Sequence, residues 1–112
     1  MATDLNSKAN QRKLRELAGV AYTRELTAEL SKLEKNFAQW RSGEIDPFEL
    51  SDRIHRFHDG VSRELFIRYR DLPPGLAVAR GIAFHLLQES EVPSEILGDL
   101  QSIIRFCRNQ RA

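Results

Sequence analysis

The sequence predicts an all-α fold. The expected form is a four-helix bundle: a long N-terminal helix antiparallel to a second long helix, a central apolar third helix and a C-terminal amphipathic helix. Three observations predict it. Apolar residues recur at steps of three and four, and no segment alternates with period two. Proline and glycine signals divide the chain into four stretches. Charged residues make up 29% of the 112 positions and fall mostly on faces opposite the apolar ones.

The first helix is expected over 8–42. Leu14, Ala18, Tyr22, Leu26, Leu30, Leu33, Phe37 and Trp40 follow one another at about 3.7 residues per step, the period of one face of a straight helix. Arg12, Arg15, Glu16, Glu25, Glu29, Lys32 and Lys35 are read as the opposite, charged face. Ser42-Gly43 ends the helix, because glycine suits the left-handed residue beyond a C-terminus. Residues 1–7 carry no periodicity and are expected to fray, leaving 8–112 as a single helical domain.

Ile45-Asp46-Pro47-Phe48-Glu49-Leu50 is the strongest local signal. Asp46 suits the N-cap, Pro47 the first turn and Glu49 the third position, with Ile45 and Leu50 as a hydrophobic staple. One helix is expected over 47–70, with Leu50, Ile54, Phe57, Val61, Leu65 and Tyr69 as its stripe. Asp59-Gly60 is the place where it would break. Leu72-Pro73-Pro74-Gly75 opens a third helix over 75–89, apolar on every side and so expected to be buried. Val92-Pro93-Ser94 restarts the chain for a fourth over 93–109, striped by Ile96, Leu97, Leu100, Ile103, Ile104 and Cys107.

Charge excludes some functions. The net charge is +1, too small to drive the chain to a partner by bulk electrostatics. Residues 1–42 hold 8 basic and 5 acidic groups, and 43–71 hold 5 and 7, a contrast that favours an antiparallel pairing of the first two helices. A lone Cys107 supports neither a disulfide framework nor a metal site. Met1 to Asn10 is polar with no apolar stretch after it, and Arg80 and His85 interrupt the longest apolar run. The expectation is a soluble cytoplasmic protein with no cofactor and no membrane partner.

The only cluster of catalytic residue types is Asp52, His55, His58 and Asp59. Asp52, His55 and Asp59 share a helix face by spacing and are weak metal candidates. The doublet His58-Asp59 resembles that of HD-domain phosphohydrolases, but no histidine precedes His55 to supply the first ligand. A His55–Asp59 ion pair is the simpler expectation. Arg80 and His85 lie in the most apolar helix, and Arg80 is expected to bridge to a carboxylate of the second helix, Glu64 first, as a structural link or an anion site. Arg12, Lys13, Arg15, Arg105 and Arg108 are the nucleic-acid candidates. Leu14 to Leu30 is faintly similar to a helix-turn-helix, but Arg15 and Glu25 stand where that motif needs small or apolar residues.

No complete catalytic motif is present, so the leading expectation is a non-enzymatic interaction module that forms a homodimer or docks a protein partner. The alternatives are a small nucleic-acid-binding regulator and a metal-dependent hydrolase built on His55, His58 and Asp59. The dimer surface is expected at Leu14, Leu17, Ala18, Tyr22, Phe37 and Trp40, widened by an aromatic strip of Phe48 and Phe66.

Overall fold

The structure, a computed structural model, describes residues 5–111, apart from the side chain of Arg111. Regular structure among these residues is entirely helical: α1 (Lys8–Arg41), α2 (Pro47–Phe57), a π-helical turn (His58–Ser62), α3 (Arg63–Asp71), α4 (Pro74–Ala83), a 3₁₀ turn (Glu89–Glu91) and α5 (Ser94–Arg111). No helix among them is long and apolar enough to cross a membrane. The chain divides into two compact units, one of residues up to Thr23 and from Asp71 onward, the other Arg24–Arg70. The division falls inside α1 and has no mark in the sequence.

Of the tail expected to fray, residues 1–4 lie outside the described residues and the rest is structured. Asn10 donates its backbone N–H to Ser7 Oγ (3.2 Å), and Gln11 donates its side-chain N–H to the Leu5 carbonyl (2.6 Å), so Ser7 caps α1. Gly43, at φ 84°, closes α1. Glu44 N–H bonds Gln39 O (2.8 Å) and Gly43 N–H bonds Trp40 O (3.1 Å), the paired bonds of a Schellman motif.

In the Arg24–Arg70 unit, the second half of α1 and the α2–α3 rod form an antiparallel helical hairpin. Arg53 reaches Gln39, whereas Tyr69 reaches back to Glu25. Asp46 Oδ1 accepts the Glu49 N–H (2.8 Å) as its sequence position predicts. Glu49, however, accepts from Arg53 Nε (2.9 Å).

The second helix neither runs as plain α-helix to residue 70 nor breaks at Gly60. It widens into one π turn at His58–Ser62 and continues. With one residue discounted for that turn, Leu65 and Tyr69 return to within about 40° of Leu50 on the helical wheel; uncorrected, they drift by about 60–100°. Leu50 and Leu65 are accordingly the two buried hydrophobic residues of the hairpin.

In the other unit, Ala77, Val78, Ala79, Gly81, Ile82 and Ala83 of α4 are buried, together with Leu14, Leu17 and Ala21 of α1 and Ile96, Leu100, Ile104 and Cys107 of α5. The third helix expected to reach residue 89 ends at Ala83. A second Schellman pair stops it: Leu86 N–H bonds Gly81 O (2.8 Å) and His85 N–H bonds Ile82 O (3.2 Å). His85 takes the left-handed residue at φ 63°. The turn lays Leu87, buried, against Gly81.

The same motif thus occurs with glycine at Gly43 and with histidine at His85. His85→Gly should raise stability by about 0.5–1 kcal/mol, and Gly43→Ala should lower it by a similar amount, both read from denaturant midpoints. Equal signs for the two substitutions would contradict this account of the turns.

Candidate functional site

The hairpin is held by polar clamps at both ends. Near its closed end, Arg53 donates to Asn36 Oδ1, Gln39 Oε1 (2.9 Å) and Glu49 Oε1 (2.9 Å). Near its open end, Glu25 accepts from Tyr69 Oη (2.8 Å) and Arg68 Nη1 (3.4 Å). Charged partners make such bonds stronger than neutral ones, and here they fix the rotation of each helix. From the sequence, Glu25 is expected on the charged outer face, and neither clamp stands out. Glu25 and Arg53 lie beside the apolar stripe rather than opposite it, and that spacing was the available signal.

The clamps mark the side each helix turns to the other. On α1, Leu26, Leu30, Leu33 and Phe37 lie about 80–140° round from that side. On the α2–α3 rod, after the π turn is discounted, Ile54 and Phe66 lie about 90–110° round in the same sense. In an antiparallel pair, rotations of the same sense bring both sets to one face of the hairpin. That face is incompletely covered: Leu30 is 46% exposed, Ile54 38% and Phe66 55%, while Leu26, Leu33 and Phe37 are half-buried.

The expected dimer residues therefore separate. Leu14 and Leu17 are buried within their own unit and cannot serve as an exposed contact surface, because α1 begins against α4 and α5 rather than in water. Ala18 and Tyr22 are half-buried, and Trp40 is exposed near the hairpin's closed end. The aromatic strip of Phe48 and Phe66 does not survive the π turn. Phe66 moves round beside Ile54, whereas Phe48, highly exposed, stays on the side of α2 opposite Leu50.

The other candidates come out as follows. His55, His58 and Asp59 are exposed, the expected His55–Asp59 ion pair does not form, and Asp52 pairs with Arg56 (2.6 Å). Among the described residues no three His, Cys, Asp or Glu side chains are placed to hold a metal ion. Arg80 is half-buried, with its guanidinium over the Phe84 ring at 4.7 Å, a cation–π contact that the expectations from the sequence do not include. His85 is exposed in its turn, and Glu64 is exposed in the other compact unit. Arg12, Arg15, Arg105 and Arg108 are exposed and Lys13 half-exposed. Lys13 and Arg108 face acidic neighbours, Glu16 at 3.9 Å and Glu89 at 3.8 Å. No protein-family model, curated protein or solved structure matches the chain.

Proposed function

We propose that the protein is a non-enzymatic helical interaction module that works by self-association, with the apolar face of the hairpin as its contact surface. The observation that carries this reading is the convergence of Leu30, Ile54 and Phe66 on one face of a hairpin whose only buried hydrophobic residues are Leu50 and Leu65. Two helices can bury one strip between them, and their remaining apolar face gains about 25 cal/mol for each Å² removed from water. A second copy suits that face for a geometric reason. A two-fold axis sets two identical faces together, and two hairpins supply the four helices of a bundle. The charge balance permits it: Arg24–Arg41 holds 4 basic and 3 acidic residues and 42–70 holds 5 and 6, so neither arm repels its counterpart strongly.

Light scattering at micromolar concentration should give a mass of twice the 12.9 kDa monomer. Leu30→Glu and Phe66→Glu should each return it to the monomer value while the helical circular dichroism is retained. A wild-type mass that stays at the monomer value on concentration would end the proposal. The exposed arginines at the starts and ends of helices favour nucleic-acid binding only if affinity falls steeply with salt and survives Leu30→Glu.

A further inference from the structure

The unit formed by residues up to Thr23 and from Asp71 onward contains a cavity of about 470 Å³, remote in sequence from the hairpin face. Its apolar wall includes Leu14, Leu76, Leu100 and Ile103, and among the described residues no ionisable side chain lines it. Gly75 leaves part of the space open. A Cβ added there would sit 3.8 Å from Leu100 Cδ2 and 3.9 Å from Leu14 Cδ1, ordinary contact distances. Gln11 lines the same cavity and spends its amide N–H on the Leu5 carbonyl (2.6 Å). Its Oε1 accepts no hydrogen bond from the described residues.

We propose that this cavity binds a neutral small molecule with an apolar body and a single N–H or O–H donor, which the Gln11 Oε1 receives. Its size falls in the range of about 300–1,000 Å³ typical of small-molecule sites. A charged ligand would surrender its hydration to a wall whose described residues offer no countercharge. An entirely apolar one would leave the Gln11 acceptor dry and unpaired.

N-phenyl-1-naphthylamine is a suitable probe, because it is neutral, carries one N–H and fluoresces in apolar surroundings. Saturable binding of one probe per chain is expected. 8-Anilino-1-naphthalenesulfonate, which adds a sulfonate to the same skeleton, should bind at least about tenfold more weakly. Gly75→Leu should abolish probe binding. Gly75→Ala, whose methyl fits without displacement, should weaken it by about fourfold, the equivalent of one methylene of space. Gln11→Leu should weaken the amine by about fivefold and leave its N-methyl derivative unaffected.

Leu30→Glu should leave binding unchanged, which separates this cavity from the hairpin face. Absence of saturable fluorescence would overturn the proposal. So would equal binding of the sulfonate, or a signal that survives Gly75→Leu and Gly75→Ala but is lost in Leu30→Glu.

Discussion

Leu100→Ala should lower the free energy of unfolding by about 2–5 kcal/mol, the range for truncating a fully buried leucine. Leu100 is fully buried, and its Cδ2 lies against the space over Gly75. Removing three carbons there forfeits their transfer free energy and widens a cavity that the surrounding helices fill only in part. Phe106→Ala on the same helix should change stability by less than about 0.5 kcal/mol, because Phe106 is 61% exposed. Calorimetry on the two variants gives a direct comparison. Similar losses for both would mean that α5 does not bury the face described for it.

Gly81→Leu should destabilise by about 3 kcal/mol or more, the upper end for overpacking. A Cβ at Gly81 would meet Leu87 Cδ1 at 3.0 Å and Ala21 Cβ at 3.3 Å. Ala21 is completely buried and offers no flexible end that could swing aside. Gly81→Ala should cost less, because Leu87 can yield and alanine recovers about 1 kcal/mol of helix propensity. The order wild type, Gly81→Ala, Gly81→Leu in denaturant midpoint checks the close approach. Wild-type stability in Gly81→Leu would refute it.

Features set by short-range chemistry were legible in the sequence. Asp46-Pro47 announced the start of α2 and Gly43 the end of α1, because each acts on backbone groups within a few residues of itself. The long stripe of α1 announced a continuous helix, and Lys8–Arg41 forms one. Features set by distant packing were not. Nothing local to Phe84-His85 predicts a helix stop, since histidine rarely takes the left-handed residue; the turn coincides with the seat of Leu87 on Gly81. The π turn was equally silent, and its one-residue offset moved Phe66 from the Phe48 side to the Ile54 side. Of the candidate surface, Phe37 and Phe66 are among the contact residues expected from the sequence, whereas Leu30, expected only as part of the α1 stripe, and Ile54 required the structure. Arg80 illustrates the same limit from the polar side, because its stacking on Phe84 depends on how α4 ends.

The π turn at His58–Ser62 has a bearing on the length of the chain. It holds one residue that the screw of the rod does not use, since α2 and α3 stay in phase only when that residue is left out of the count. The turn is thus a splice point where a whole amino acid is stored without shifting the faces on either side. A version of this chain one residue shorter between His58 and Ser62 would keep Leu50, Ile54, Leu65 and Phe66 in their places. The same deletion inside α2 or α3 would throw one set of side chains about 100° out of step with the other. Length variation in this protein can therefore be absorbed at one joint of the hairpin, and the contact face survives it there.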